Sequence, residues 1–308
     1  MQFVDVRSDI AFKRVFGNEN KKEILISFLN AVLDLRGDRA IDSITLLNPF
    51  QVPRILGLKE SVLDIHATDK RNVTFIVEIQ IQQQKGFEKR VVYYTSKAYV
   101  AQLDIGESYP KLNQVIYIGV LDFNIFEGDG YLTRHLILNT DTLKQELKEL
   151  EFNFIELQKF NKQEDELESV VDKWIHFIKN ASSLNMIPKS ADFMEIREAY
   201  DIANKVQWSK EELEVYDYWL MRLQDDRGAR EYSFEQGERK GLIEGERRGR
   251  LKGLVEGIEV LLEIKYGEKG FELMDDVRNI GDIEKLEQFK ELIRRATSVD
   301  VLNNALNK

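Results

Sequence analysis

The stretch LDIHATDKRNVTFIVEIQ, residues 63–80, decides the fold of the first part of this chain. Its period-2 alternation predicts two β-strands, over 61–68 and 73–82, on either side of the polar turn Asp69-Lys70-Arg71-Asn72. Each predicted strand has one apolar face suited to a core and an opposite face that collects polar and charged side chains. The stretch therefore predicts an antiparallel hairpin.

The centre of the turn determines which side chains oppose one another. If the turn is centred on Arg71, Asp64 lies directly opposite Glu78 with the two Cβ atoms about 5 Å apart, where like charges destabilise the pair. A cation between the carboxylates would relieve that repulsion, and hard oxygen ligands suit Mg²⁺ or Mn²⁺. Water bound to such an ion can attack a phosphodiester. The pairing requires an odd-length turn, since an even one would place the two acids on opposite faces.

The same alternation is also typical of an ordinary amphipathic hairpin whose polar face is solvated. On the spacing of these residues alone, that interpretation stands beside the metal site.

The order of elements around the hairpin indicates an α/β layer fold with a mixed sheet. One or two helices are predicted over 9–35, with Ser8 as N-cap, and a further helix over 87–104. The segment 114–123 is apolar on both faces, as is typical of a central strand covered on both sides. Two further strands are predicted over 132–138 and 151–157, and the chain is predicted to be helical from about 165 onward.

Four ordered stretches carry a family resemblance: SDIAFKRVFGNE (8–19), VLDIHATD with VEIQIQ (62–82), FEKRVVYYTSKAY (87–99) and YIGVLDFNIF (117–126). They resemble the Rpn family of recombination-promoting nucleases and transposases, within the PD-(D/E)XK nuclease superfamily. The resemblance implies a restriction-endonuclease-like mixed β-sheet core flanked by helices and followed by an all-helical C-terminal region.

The resemblance also implies roles for the hairpin residues. Asp64 and Glu78 would be catalytic and would ligate a divalent metal, and the backbone carbonyl of Ile79 would complete the shell. Gln80 stands where many relatives in the wider superfamily carry Lys. An amide can orient the attacking water or the scissile phosphate, but it supplies no positive charge.

Five residues on the predicted helices are further candidates. Asp9 is a possible additional metal ligand, although an acid in a first helical turn is also favoured by the helix dipole. Lys13 and Arg14 would face phosphate or simply water. Arg90 and Tyr94 are four residues apart and share a helix face, so Arg90 could contact phosphate, while Tyr94 is either part of the site or a packing residue.

The charge of the chain is unevenly distributed. The formal net charge is −10, yet residues 1–100 carry 15 Lys and Arg against 12 Asp and Glu, a balance of +3. The remaining residues hold 29 and 42, a balance of −13, so the overall acidity does not exclude DNA as a partner. No signal peptide or membrane span is predicted, and cysteine is absent, so we expect a cytoplasmic protein.

Glycines recur every four residues in a charged, helix-favouring segment, and they number six: Gly237, Gly241, Gly245, Gly249, Gly253 and Gly257. Because they follow the i±4 row of a helix, we expect a helix that pairs with another chain or with its own C-terminal part. The expected assembly is a homo-oligomer or a complex with a protein partner, formed through this glycine ladder and the C-terminal helices. A flexible charged connector is the alternative interpretation.

These patterns predict four parts: a nuclease-like core over 1–160, a helical extension over 161–230, a glycine-ladder helix or linker over 231–260, and a small helical domain over 261–308. The leading functional hypothesis is a Mg²⁺-dependent DNA endonuclease linked to recombination or mobile-DNA processing. The alternatives are a weakly active nuclease-fold interaction module and a transposase-associated protein that binds DNA without cutting it.

Overall fold

The computed structural model describes residues 1–48, 50–51, 61–62 and 64–306. The side chain of Leu63, which the sequence assigns to the apolar face of the hairpin, lies outside them. The chain divides into two units, Met1–Leu220 and Met221–Lys308. Within the described ranges, no helix is both long enough and apolar enough to cross a membrane.

Two helices, five strands, one helix and three strands follow one another as far as residue 156 in the described part of the chain, and the elements after it are helical. The helices are α1 (Asp9–Phe16), α2 (Lys22–Val32), α3 (Phe87–Val100), α4 (Val170–Asn180), α5 (Met194–Ala203), α6 (Lys210–Tyr266), α7 (Glu268–Phe271), α8 (Met274–Arg278), α9 (Ile283–Arg295) and α10 (Val299–Leu306). The strands are β1 (Ile44–Leu46), β2 (Phe50–Gln51), β3 (Ser61–Val62), β4 (Ile65–Asp69), β5 (Thr74–Gln80), β6 (Val115–Leu121), β7 (Leu132–Leu136) and β8 (Leu150–Glu156).

Six strands form one mixed sheet in the order β1-β4-β5-β6-β8-β7. The three central strands, β5, β6 and β8, run parallel, and β4 and β7 join them antiparallel on either side. Strands β2 and β3 pair separately in a two-stranded ribbon. The α/β class with a mixed sheet and a helical C-terminal region is therefore confirmed.

The turn between β4 and β5 is closed by its first residue. The Asp69 carboxylate accepts hydrogen bonds from the backbone N–H groups of Arg71 at 2.8 Å and Val73 at 3.0 Å. Asn72 takes the left-handed conformation with φ 61°, which Asn tolerates better than most residues. The ladder runs from Thr68↔Thr74 to Ile65↔Val77, so the turn is centred on Arg71, which is the condition under which Asp64 opposes Glu78.

Both faces of the sheet are covered. On one face Phe75, Val77 and Ile79 belong to the large core that includes residues of α1, α2, α4 and α5. On the other face Ile76 packs in a second cluster with residues of α3. The interpretation of an amphipathic hairpin with a solvated face is therefore wrong for β5, because α3 lies over the face that carries Glu78.

The strand predicted over 61–68 is not continuous. It is formed by Ser61–Val62, paired in the small ribbon, and by Ile65–Asp69 in the main sheet, with Asp64 outside both. The helix predicted over 87–104 ends at Val100, and the helical region begins at Val170 after two short 3₁₀ turns.

In the second unit, the C-terminal end of α6 packs on the helices that follow it. Ile258 and Leu262 are buried with a cluster from α8 and α9 that includes Val277, Leu286 and Phe289. The glycine row that precedes this end of α6 is not packed against other described residues. A Cβ atom built on any of Gly237, Gly241, Gly245, Gly249 and Gly253 meets no described atom within 4 Å.

Gly241→Ala should stabilise α6, because alanine favours a helix interior over glycine by about 1 kcal/mol and the new methyl group meets open space. Amide hydrogen exchange in peptides around residue 241 should slow about fivefold. Gly270→Ala is the contrasting variant: its Cβ would lie 2.5 Å from the Leu262 carbonyl oxygen, so the helical unit should lose stability. Equal effects of the two substitutions would contradict this description of α6.

Candidate active site

Two acidic side chains meet at the end of the β4–β5 hairpin. Asp64 directly precedes β4, and the last pair of the ladder is Ile65↔Val77, so Asp64 faces Glu78 one step further along. The Oδ2 atom of Asp64 accepts a 2.9 Å hydrogen bond from the backbone N–H of Ile79. This bond holds the Asp64 carboxylate against the strand that carries the second acid.

Glu78 is buried, with 6% of its surface exposed. Its Oε2 atom accepts a 2.9 Å hydrogen bond from the Tyr117 hydroxyl of β6, the one hydrogen-bond donor to Glu78 among the described residues. Burial raises the pKa of Glu78 to about 7; the Tyr117 hydrogen bond opposes the rise, and the nearby Asp64 charge adds to it. Glu78 is therefore a carboxyl group whose charged form lacks adequate compensation in the protein alone.

Helix α1 supplies one cation and one further acid. The Lys13 ammonium lies 3.2 Å from Oδ1 of Asp64. Asp9, one turn earlier on α1, reaches solvent, but its pKa is raised, first by partial burial and next by the Asp64 charge, while Lys13 lowers it. The Asp64 charge thus raises the pKa of both Asp9 and Glu78, and Lys13 forms the cluster's one close ion pair among the described residues.

Helix α3 brings a guanidinium to the same end of the hairpin. One terminal nitrogen of Arg90 donates to Oε1 of Gln80 at 2.5 Å, and the other donates to Oε1 of Gln84 at 2.8 Å. The Nε atom of Arg90 is buried and has no hydrogen-bond partner in the described part of the chain. Tyr94 lies one turn further along α3; burial raises its pKa, and the charges of Arg90 and Glu78 act on it in opposite directions.

One predicted site residue is engaged elsewhere. Arg14 donates to the Gln207 carbonyl at 2.6 Å, forms an ion pair with Glu212, and stacks over the Trp208 ring at 4.7 Å. Its neighbour Lys13 points to Asp64, whereas Arg14 joins α1 to the start of α6. The structure brings together the other predicted residues: Asp9, Lys13, Asp64, Glu78, Ile79, Gln80, Arg90 and Tyr94.

Two residues of the cluster are not among those predicted from the sequence, and both lie on β6. Tyr117 donates to Glu78, and Gly119 pairs directly beside Glu78 in the parallel ladder. A Cβ on Gly119 would lie 3.0 Å from Cε1 of Tyr117 and 3.1 Å from Cδ1 of Phe154, so glycine leaves the space that the two rings occupy. In the sequence, these two residues stand out because a tyrosine and a glycine interrupt the otherwise aliphatic strand VIYIGVL.

The donor set fits a hard divalent cation. Asp64 and Glu78 offer carboxylate oxygens on facing positions, whereas no group of three or more His, Asp or Glu side chains in the described ranges is arranged to hold a metal. Mg²⁺ binds through one or two carboxylates and keeps several of its waters, so two protein carboxylates suffice. The uncompensated charge of buried Glu78 is the feature that a cation would relieve.

A family model described as the PD-(D/E)XK nuclease family transposase matches residues 6–232. This chain belongs to that family. The match spans α1, the hairpin and α3, and so includes every residue of the candidate site. The resemblance seen in the sequence is confirmed, and membership supports a nuclease-like or transposase-related function. Comparison with curated proteins and with solved structures gives no match.

Replacing Glu78 by Gln should change how stability depends on pH. Because the folded-state pKa of Glu78 is about 7 and the ordinary value is 4.5, its stabilising contribution is present at low pH and is lost as pH rises through 7. In EDTA, the free energy of unfolding of the wild type relative to Glu78→Gln should therefore fall between about pH 5 and about pH 8.

Urea unfolding followed by tryptophan fluorescence measures this, since Trp174, Trp208 and Trp219 all lie in the unit Met1–Leu220. The exposed Glu127→Gln is the matched control and should show a constant difference from wild type. A pH-independent difference for Glu78→Gln would contradict the burial argument.

Gly119→Ala should destabilise the same unit by about 1–3 kcal/mol, because the added methyl group forces the Tyr117 and Phe154 rings to move in a packed core. The same fluorescence-detected urea titration reports the loss. Gly130→Ala, whose Cβ meets only the Leu132 carbonyl at 3.9 Å, should change stability little. If both variants unfold at the same urea concentration, the space beside Glu78 is not restricted.

Proposed function

We propose that this chain is a divalent-metal-dependent DNA endonuclease that hydrolyses phosphodiester bonds during recombination or the processing of mobile DNA. The observation that carries the proposal is the pair Asp64 and Glu78: two acids on facing positions, one of them buried, in a chain of a nuclease family. A buried acid facing a second acid is costly unless a cation joins them.

Asp64, Glu78 and the backbone carbonyl of Ile79 would hold Mg²⁺ or Mn²⁺, with Asp9 as an additional candidate ligand. When bound, the ion supplies Lewis acidity toward phosphate oxygens and lowers the pKa of a coordinated water. Lys13, which contacts Asp64 at 3.2 Å, is 42% exposed and has a flexible side chain, so it is free to turn from the carboxylate to a DNA phosphate.

Gln80 and Arg90 together take the catalytic role that a single lysine has in many relatives of the wider superfamily. The Gln80 amide orients the attacking water or the scissile phosphate, and Arg90, bonded to Gln80 at 2.5 Å, supplies the positive charge that the amide lacks. The buried Nε of Arg90 has no acceptor in the described residues, and a phosphate oxygen is an acceptor of the required kind. Tyr94 stands next to this pair on α3.

DNA is the proposed partner of this site. The positive balance of residues 1–100 supports phosphate contacts there, whereas the acidity resides in the rest of the chain. We assign the nuclease core to residues 1–160 and expect it to act in the cytoplasm, where a chain without cysteine needs no disulfide. Residues 161–230, 231–260 and 261–308 are proposed as a helical extension, a glycine-ladder helix and a small helical domain.

The second candidate function is a nuclease-fold interaction module with little or no cleavage, including one that binds DNA without cutting it. The observation that favours it is the acidity of residues 101–308, whose charge balance of −13 is better suited to a protein partner than to DNA. The presence of both carboxylates favours the enzyme.

Nicking of supercoiled plasmid with Mg²⁺ tests the proposal. Asp64→Asn and Glu78→Gln should each lower the nicking rate at least about 100-fold, since even residues behind the ligands typically contribute 10–100-fold. EDTA should abolish nicking by the wild type. Glu127→Gln and Asp129→Asn are matched controls on an exposed loop and should nick at the wild-type rate.

DNA binding measured beside nicking separates the alternatives. Wild type that binds DNA but never nicks it would favour the non-cleaving DNA-binding protein, and wild type that does neither would favour the interaction module. Equal nicking by Glu78→Gln and wild type would remove Glu78 from the chemistry.

A further inference from the structure

The middle of α6 is largely exposed to solvent in the part of the chain that the structure describes. Nearly every residue from 224 to 250 is exposed, and large apolar side chains stand in solvent, among them Leu242 at 71% and Ile243 at 59% exposure. Two more lie toward the ends, Met221 at 50% and Ile264 at 78%. Exposed apolar side chains that share one face of a helix are typical of a surface that binds a partner.

The composition of this segment also argues for a partner. A glycine in a helix interior lowers helix stability by about 1 kcal/mol relative to alanine. Five consecutive glycines of the row, Gly237 to Gly253, have no described atom within 4 Å of a Cβ built on them. The intrahelical ion pairs Glu244–Arg248 and Lys252–Glu256 each stabilise the helix by only a few tenths of a kcal/mol. Packing on another surface would have to supply the remainder.

One face of α6 combines exposed apolar residues with exposed charged residues. We call it the central stripe, and its residues follow one another at steps of mostly three or four, as on one side of a helix. They are Met221, Gly228, Tyr232, Glu235, Arg239, Leu242, Ile243, Glu246, Arg250, Gly253, Gly257 and Ile264. The glycine row itself advances about 40° per step around the helix, so only its last two members join the stripe.

We infer that the central stripe binds a second copy of this chain in antiparallel orientation, with the two-fold axis between Leu242 and Ile243. In that register, two residues of the two copies face each other when their residue numbers add up to 485. Leu242 then faces Ile243, and Met221 faces Ile264. The exposed apolar side chains at the centre and ends of the stripe thereby cover one another.

The same register matches charges and sizes. Glu235 faces Arg250 and Arg239 faces Glu246, and each contact occurs twice by symmetry. The Tyr232 ring faces Gly253, where the missing side chain leaves room for it. Outside the stripe, Glu238 and Arg247 also sum to 485 and lie at its flanks with opposite signs.

Other arrangements of two copies bring like charges together. In a parallel pair in register, each residue faces itself, so Glu235 meets Glu235 and Arg239 meets Arg239. Sliding the antiparallel pair by one helical turn places Glu235 against Glu246 in one direction. In the other direction it places Arg239 against Arg250. The order of charges thus favours one register and disfavours its neighbours.

The stripe charges are also available in the single chain. Glu235, Arg239 and Glu246 form no ion pair with any described residue, in contrast to Glu244 with Arg248 on another face. Arg250 contacts Glu287 at 2.6 Å, yet its side chain remains 61% exposed and has donors left for a second carboxylate. A second copy would supply partners for Glu235, Arg239 and Glu246, and a second carboxylate for Arg250.

The mass of the full-length protein in solution, measured by sedimentation, is the first test. The wild type should be a dimer at micromolar concentration, and Arg239→Glu should weaken dimerisation at least about tenfold, because it opposes two acids at each of two symmetric contacts. Lys240→Glu, the neighbouring charge reversal off the stripe, is the matched control and should leave the dimer unchanged. Circular dichroism should show equal helix content in all variants.

Reversing both charges tests the orientation. Arg239→Glu combined with Glu246→Arg restores opposite signs at both contacts of the antiparallel register, so the double variant should dimerise as the wild type does. A merely unfolded or disturbed helix would not be rescued by a second substitution.

Cysteine cross-linking tests the register, and the chain contains no cysteine to interfere. Tyr232→Cys with Gly253→Cys in one chain should form a disulfide-linked dimer on oxidation. Tyr232→Cys alone should not, because the two copies of position 232 lie 253 − 232 = 21 residues apart along the helices, about 31 Å at 1.5 Å per residue.

Three results would overturn the inference. They are a monomeric wild type, a dimer indifferent to Arg239→Glu, and efficient cross-linking of Tyr232→Cys alone. A monomeric wild type would mean that a different protein binds the central stripe. Efficient cross-linking of Tyr232→Cys alone would indicate a parallel pair. None of these readouts depends on nuclease activity.

Discussion

The pairing of β4 with β5 about Arg71 is the constraint on which the site depends. It sets Asp64 against Glu78, and the hydrogen bond from the Ile79 N–H to Asp64 holds the two strand ends together where the ladder stops. Everything else in the cluster is placed relative to this hairpin: Lys13 reaches it from α1, and Arg90 from α3. The rest of the fold can be understood as the support that keeps two acids on facing positions.

Burial gives that pair its chemical character. A solvated hairpin would leave both acids ionised at little cost, but α3 and β6 cover Glu78, and its pKa rises to about 7. Tyr117, itself buried, provides a hydroxyl hydrogen bond that favours the charged form without supplying a compensating charge. The result is a carboxylate that gains from any cation able to reach it.

Much of this arrangement follows from local sequence pattern. Strand alternation predicts the hairpin, because it depends on residues within a short stretch, and the opposition of Asp64 and Glu78 follows from it once the turn is centred on Arg71. The doubly buried β6 and the helix after the hairpin are predictable for the same reason. The break in the first strand at Asp64 was missed, since alternation continues across it and the change of pairing partner depends on a separate ribbon.

The features that the pattern could not reveal involve residues distant in the chain. Tyr117 meets Glu78 through the register of parallel strands, which no short turn specifies. Arg14 follows Lys13 directly, yet it turns to Trp208 and Glu212, nearly two hundred residues away. Likewise the glycine row predicts a close helical approach, but only the structure shows that a Cβ built on any of its first five members meets no described atom within 4 Å.

The family match ends at residue 232, just where the glycine row of α6 is about to begin. The charged residues of the central stripe, Glu235, Arg239, Glu246 and Arg250, therefore lie outside the family match. Two related copies in the same cell could keep identical chemistry and still remain apart if a few acidic and basic residues were exchanged along this helix. Duplicated genes would then produce separate assemblies, each excluding subunits of the other.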